Sequence, residues 1–424
     1  MSPVLPSYAE ATAVVAAYAA EVARQPAAER VDLAQAAGRV LALALQADRD
    51  QPPFPRSTRD GFACRAAEAN THQPLTVAGS IQAGQPPAGP LPGNAAWEIM
   101  TGATVPAGAD AVVMIEHVDR AGDAPGTVRL LPPRTLEAGE NIVAQGAEAR
   151  EGAEVLATGT CLGPQHIALA AACGHAAVKV FRRPRVAILA TGDELVSVGS
   201  KPGPGQIRNS NGLMLAALVA QAGGDPWILA TAGDNDKSLD QSLRRAVVAD
   251  MLLVTGGVSA GKFDLVEPAL AHLGARFHFT GVRMQPGKPL VFGDLSRTHH
   301  STAGVSAGKM LPFFGLPGNP ISSAATFLLF GSRILGALAG SRHSGPRFAL
   351  ARLAKDVKGK PDLTRFVPSF CNYGSDSSEP PEVKTVHSEG SGDLTSFSRS
   401  NCFLVVPEGA GRLEAGSTVR ILLI

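Results

Sequence analysis

The sequence predicts a multidomain α/β protein: a central, doubly wound, mostly parallel sheet flanked on either side by β-rich segments. Three observations predict it. The middle third alternates short apolar runs with segments of helical spacing, as expected of strands covered by helices on both faces. The flanks are rich in Gly and Pro and carry short alternating runs. A chain of 424 residues is too long for one ordinary core and implies about three domains.

The elements follow in order. "MSPVLPSYAEATAVVAAYAAEVARQ" is apolar but has no basic leader and no long uncharged span, so it reads as a helix opened by Ser7 and not as a signal peptide. Residues 48–150 contain "PLTVAGSI" and "ADAVVMIEHV", short runs that suit a small β domain. "GPQHIALAAACG" is a helix with Pro164 near its start and Gly174 at its end. In the middle third, strands are expected at "RVAILAT" (185–191), "WILATA" (227–232) and "MLLVTG" (251–256). Helices are expected at 212–224, 238–249 and 264–274. "RFHFTGV", "PLVFGDL" and "PFFGLPG" supply further strands, and one long apolar helix is expected from about Ile321 to Leu338. A Pro/Gly break at "SRHSGPRF" precedes a β-rich tail, 345–424. No run is expected to reach the length of a membrane-spanning helix.

Composition narrows the function classes. Hydrophobic residues are 45% and charged residues 18%, which suits a well-buried globular protein. A net charge of +1 gives no electrostatic reason to expect nucleic acid. Five cysteines without CxxC spacing argue against a disulfide framework or structural zinc, and favour a reducing, cytoplasmic setting. The ten histidines show no metal-ligand spacing. Cys64 reads as a small packing residue.

"TGGVSAGKFD" (255–264) resembles a P-loop until Phe263, which stands where that motif needs a Mg²⁺-binding hydroxyl. A nucleotide hydrolase is therefore disfavoured. In an open parallel sheet, ligands bind beyond the carboxyl ends of the strands. There lie "TGDEL" with Asp193 and Glu194, "AGDND" with Asp234 and Asp236, "TGGVSAGKFD" with Ser259 and Asp264, "PGKP" with Lys288, and "GLPGNP" at the start of the long helix. Gly256 and Gly257 let backbone amides approach a phosphate, and helix N-termini favour anions. Taken singly, Gly-Gly after a strand is a turn, and Asp or Ser before a helix is a cap. Asp193 reads as a cap and Asp236 as the cap or first residue of the following helix, which leaves Asp234 as the better site residue. It is the joint occurrence on one edge that points to a ligand. Carboxylates beside phosphates imply an intervening cation, with Mg²⁺ the expected one. "TAGVSAGKM" (302–310) nearly repeats the glycine motif, but it reads as an insertion loop.

With these motifs in place, the chain resembles the molybdopterin molybdenumtransferase family, related to the C-terminal part of gephyrin. The similar segments are "STRDGFACR" (57–65), "IMTGATVPAGADAVVM" (99–114), "TGDEL" (191–195), "GQIRNSN" (205–211), "TGGVSAGKFD" (255–264), "QPGKP" (285–289), "GLPGNPISS" (315–323) and "SFSRSNCFLVV" (396–406). They run in family order over nearly the whole chain. The resemblance implies an N-terminal helix (1–26) packed on an α/β molybdopterin-binding domain (181–340). It also implies a linking domain (27–47 with 146–180), a β domain (48–145) and a C-terminal β-barrel (345–424). It further implies a homodimer with its site between the α/β domain of one subunit and the "DGFA" domain of the other. The molybdopterin adenylyltransferase is a possible partner, and neither nucleic acid nor membrane is.

The implied reaction takes adenylylated molybdopterin and molybdate, with Mg²⁺, and releases AMP. By position, Asp60, Glu194, Asp234, Asp264 and Lys288 match the family's functional residues, with Glu194, Asp234 and Asp264 as implied Mg²⁺ ligands. The implied molybdopterin contacts are Thr101, Thr191, Gly192, Gly256, Gly257, Val258, Ser259, Pro317, Gly318, Asn319 and Pro320. Lys288, Arg365 and Ser396 are the implied molybdate contacts. The chain departs from the family at Gln285, where Lys is frequent, at Lys262, and in "GSGDLTSF", which lacks a common His. Two alternatives remain: a non-catalytic molybdopterin-binding or scaffold protein of this fold, and an adenylyltransferase. The acids kept at the strand ends favour an enzyme, and the flanking β domains favour metal insertion over adenylylation.

Overall fold

Tyr8–Val22 is the first helix of the computed structural model, which describes residues 5–22, 26–120, 125–233, 235–257, 265–296, 310–373 and 380–424. Ser7 opens it with a reciprocal cap. The Ser7 amide donates to Glu10 Oε2 at 2.7 Å and the Glu10 amide donates to Ser7 Oγ at 3.2 Å. Both satisfy donors that a helix start otherwise leaves without partners. Ala11, Val15, Tyr18 and Ala19 of this helix are buried in the core of the central sheet.

That sheet has six strands in the order Asp225–Ile228, Arg185–Ala190, Met251–Thr255, Met310–Leu316, Val291–Ser296, Ala275–Thr280. The first four are parallel. Along Arg185–Ala190, Val186 and Ile188 join the core beneath the helices at Tyr8–Val22, Ser210–Gln221 and Pro320–Thr326. Ala187 and Leu189 join the opposite core, under Asp236–Ala246 and Val266–His272. Burial on both faces is why these strands read as continuous apolar runs.

Four details differ from the sequence expectation. Val291–Ser296 runs antiparallel to both neighbours. No crossover helix lies between Thr280 and Val291, and without one a neighbouring strand returns antiparallel. The strand expected at 227–232 is instead Asp225–Ile228; past it, Ala232 makes only an isolated bridge to Thr191. The long apolar helix is interrupted by a wide π turn, Phe327–Gly331. The Phe327 ring lies over Gly331, where a Cβ would come within 2.7 Å of it, so the turn needs a glycine. The span Pro320–Leu338, 19 residues, is long and apolar enough to cross a membrane, contrary to expectation, but 78% of its most apolar window is buried inside the protein. It is a core helix, hydrophobic all round because it is covered all round.

A second six-stranded sheet, including Gly61–Cys64, Leu75–Ile81, Ala95–Ile99 and Ala111–Met114, lies in the N-terminal part. The pairs Ala28–Asp32 with Ala177–Phe181 and Leu45–Gln46 with Glu154–Leu156, along with the helix Pro164–Ala172, share a small separate core. In the C-terminal part, Thr364–Asn372 pairs with both Glu382–Thr385 and Cys402–Val406, which closes the sheet into a barrel. Closure leaves fewer exposed strand edges. The two-residue strand Met284–Gln285 leaves the central domain and pairs with this barrel, Met284 opposite Thr364 and Gln285 opposite Arg365.

Candidate active site

The turns that follow three parallel strands pack directly on one another. A Cβ on Gly256 would fall 2.5 Å from Thr191 O, and one on Gly318 would fall 3.7 Å from Gly256 Cα. Gly256 and Gly257 have φ of +92° and +60°, which strain any side-chain-bearing residue. Their role differs in part from the expected one. The Gly256 amide donates to Leu316 O at 3.3 Å and the Gly192 amide to Ala232 O at 3.2 Å. Those two glycines allow close packing instead of presenting free donors.

Asn211, at the start of the helix Ser210–Gln221, ties the turns together. Its Nδ2 donates to Thr255 Oγ1 at 3.0 Å and to Gly318 O at 2.6 Å. Asn211 Oδ1 and Thr191 Oγ1 are buried without a hydrogen-bond partner among the described residues. Buried polar atoms are nearly always paired, so both atoms retain bonding capacity at this edge. Asn211 had been quoted only as part of a motif; its signal was an amide side chain at a helix start beyond a strand. The Glu194 carboxylate lies against Gly192, where a Cβ would meet Oε2 at 2.4 Å. Asp193 Oδ1 lies where a Cβ on Gly233 would be 2.9 Å away, so this side chain reaches the turn after the second strand. The helix Asp236–Ala246 begins at Asp236, one of the two expected readings of that residue, and is capped by Asn235. Asp234, Val258, Ser259 and Asp264 lie outside the described residues, as do Lys262, Phe263 and most of 302–310.

The last turn, Pro317–Pro320, also forms one wall of a cavity of about 690 Å³ shared with the C-terminal barrel. Lys288, Asn319, Lys358, Arg365, His387 and Ser391 line it. Asn319 Nδ2 donates to Ser391 Oγ at 2.9 Å, and the Ile321 amide donates to Ser391 O at 3.1 Å. Arg365 Nη1 donates to Lys358 O at 2.5 Å, while its Nε is buried without a partner. The one carboxylate on this wall, Asp356, accepts from the Ala415 amide at 2.7 Å and pairs with Arg412. The Ala415 hydrogen bond, then the one from Arg412, hold its pKa below the usual carboxylate value. Ser396, expected at the oxyanion, lies elsewhere. Its Oγ donates to His387 O at 2.7 Å and to Asp393 Oδ2 at 2.5 Å, so it completes the cap of the short helix Leu394–Phe397. Ser391 is the serine in the cavity wall.

Asp60 and Thr101 are paired with each other in the N-terminal β domain. Asp60 Oδ1 accepts from the Thr101 amide at 2.6 Å and from Thr101 Oγ1 at 2.9 Å. These bonds, the amide first, lower the Asp60 pKa. Among the described residues, no hydrogen bond or ion pair joins them to the central edge. Cys64 is fully buried and its thiol is pushed up to about 12, chiefly by burial, so it has no nucleophilic character.

A mostly parallel sheet with glycine-packed strand-end turns, beside a cavity lined by Lys288, Lys358 and Arg365 and shared with a barrel, defines a multidomain α/β protein whose strand-end edge is the expected ligand side. The chain matches the MoeA N-terminal region (domain I and II) over residues 6–174, a probable molybdopterin binding domain over 187–337, and the MoeA C-terminal region (domain IV) over 350–424. It is 34% identical to the molybdopterin molybdenumtransferase of Nostoc sp., over 93% of this chain and 88% of that protein. It is 36% identical to that of Bacillus subtilis, over 95% and 91%. The solved structure of the molybdopterin biosynthesis moeA protein from Pyrococcus horikoshii OT3 aligns with a TM-score of 0.77 at 28% identity, over 99% of this chain and 100% of that one. The chain belongs to the molybdopterin molybdenumtransferase family.

Proposed function

We propose that this protein inserts molybdenum from molybdate into adenylylated molybdopterin and releases AMP. The observation that carries this is the continuity of the two halves of the site: the turn Pro317–Pro320 belongs both to the strand-end edge and to the cationic cavity. A ligand bound across that turn places its phosphates at the glycine-packed edge and its metal-accepting end toward Lys288 and Arg365. The orphaned Thr191 Oγ1 and Asn211 Oδ1 supply polar contacts at the edge. Lys288 and the unpaired Nε of Arg365 attract the tetrahedral oxyanion.

The donor chemistry at the edge suits Mg²⁺, since the groups present are oxygens: the Glu194 carboxylate and the two orphaned side-chain oxygens. Glu194, with Asp234 and Asp264, would hold the ion. When bound it would neutralise charge on the phosphate oxygens during cleavage of the pyrophosphate link. The protein's own groups hold the ligand in line and exclude bulk water from the turn.

Asp60 and Thr101 enter this reading from a second subunit, because within one chain they are bonded to each other and not to the edge. The protein thus acts as a homodimer. All five cysteines are free, which supports a cytoplasmic setting. The test is to load purified protein with adenylylated molybdopterin and Mg²⁺, add molybdate, and follow AMP. Molybdate-dependent release is expected. Robust ATP hydrolysis without any pterin would sink the proposal. Subunits carrying Asp60→Ala and Glu194→Gln, inactive alone, are expected to regain activity when mixed; no recovery after verified exchange would place the site within one chain.

A further inference from the structure

We propose that Lys358 is a third cation of the oxyanion seat, contributed by the C-terminal barrel to a cavity in which Gln285 carries no charge. This rests on the reading above that the cavity receives molybdate. Lys288, Lys358 and Arg365 line the same cavity. Lys288 comes from the central domain and the other two from the barrel, so most of the positive charge is brought by the C-terminal domain.

The position of Lys358 is fixed by its backbone. Its carbonyl accepts from Arg365 Nη1 at 2.5 Å, and its strand, Val357–Lys358, pairs with Arg412–Leu413. The next residue, Gly359, sits so close to its neighbour that a Cβ would fall 1.7 Å from Ala410 O. Backbone held on three sides leaves the side chain as the part free to adjust. Among the described residues Lys358 has no carboxylate partner. Asp356, two residues earlier, is committed to Arg412 and the Ala415 amide. The other acid near the mouth, Glu389, is exposed and pairs with His387. Arg365 offers a directional donor through its unpaired Nε, while a lysine ammonium acts as a compact point charge. A tetrahedral dianion can take both kinds of contact. The pairing of Met284–Gln285 with Thr364 and Arg365 holds Lys288 and the barrel cations in register across the domain boundary.

The experiment is equilibrium dialysis of molybdate alone against the full chain, at several salt concentrations. It compares the unaltered protein with Lys358→Ala, Lys358→Arg, Lys288→Ala and Lys355→Ala. Lys358→Ala is expected to raise the Kd about tenfold and to flatten its salt dependence. Lys358→Arg should keep most of the affinity. Lys355→Ala, an exposed lysine outside the cavity, should change nothing. A thermal melt of Lys358→Ala should match that of the unaltered protein, because the side chain is exposed. If Lys288→Ala weakens binding and Lys358→Ala does not, the role of Lys358 is overturned while the cavity reading stands. Equal weakening by Lys355→Ala also overturns it, since the effect would then be a diffuse field. No molybdate binding by the unaltered protein overturns the cavity reading, and this inference with it.

Discussion

Asn319 in the central domain donates through Nδ2 to Ser391 Oγ in the C-terminal domain at 2.9 Å, across 72 residues of sequence. The bond fastens the turn after the last parallel strand to the far wall of the cavity. It ties the edge that would bind phosphates to the pocket that would bind the oxyanion.

Ser391→Ala removes that side-chain acceptor but keeps the backbone contact from Ile321 to Ser391 O. The apparent molybdate requirement for AMP release should rise about five- to tenfold, the value of one modest hydrogen bond. Affinity for adenylylated molybdopterin should hold. Titrating each ligand separately checks this, and equal loss for both would show that the serine only props the fold.

Gly256→Ala should be damaging. The residue has φ +92° and its new Cβ would fall 2.5 Å from Thr191 O. Backbone strain alone costs about 1–3 kcal/mol, before any displacement of the Thr191 turn. Urea unfolding and AMP release would both register it. Unchanged values for both would mean that the turns do not pack as described.

Thr101→Val should raise the Asp60 pKa toward its ordinary value, because one of the two bonds that lower it is lost. The sign follows from linkage. A carboxyl with a depressed folded-state pKa contributes stability above its unfolded pKa and loses it as pH falls through the folded value. The Asp60–Thr101 contact is therefore intact at neutral pH and lost in acid. Carboxyl ¹³C chemical shifts followed through the acid range would show the move, and a Thr101→Val titration that overlays the parent would refute it.

Thiol labelling should be uneven. Cys161 is exposed, whereas Cys64, Cys173, Cys371 and Cys402 are buried. Burial also pushes Cys64 and Cys402 up to about 12, with smaller upward shifts at Cys173 and Cys371. One fast-reacting thiol is expected with a disulfide reagent under native conditions, and Cys161→Ser should abolish it. Several fast thiols in the folded protein would contradict the burial pattern.

The central domain was legible because its strands are buried on both faces, and that burial leaves continuous apolar runs such as 185–190 and 251–255. What depended on tertiary contact was not legible. The antiparallel return of Val291–Ser296 follows from a missing crossover helix, which a strand's own composition does not report. The π turn depends on the Phe327 ring lying over Gly331. At the cavity, Lys288 and Arg365 were readable from motif and position. Ser391 and Lys358 were missed because their place is set by the barrel meeting the central domain. Ser396 was the serine expected from the resemblance, but its hydroxyl bonds to His387 O and Asp393 Oδ2.

The apolar helix Pro320–Leu338 begins at the turn after the strand Met310–Leu316 and is mostly buried. Its length and composition would suit a lipid bilayer, yet the fold hides most of it. In the unfolded chain this segment is exposed apolar surface, which only completion of the surrounding domain conceals. The helix Tyr8–Val22 packs against this segment and supplies part of its cover. Loss of that helix would uncover the part of this core now packed against Ala11, Val15, Tyr18 and Ala19 and favour self-association.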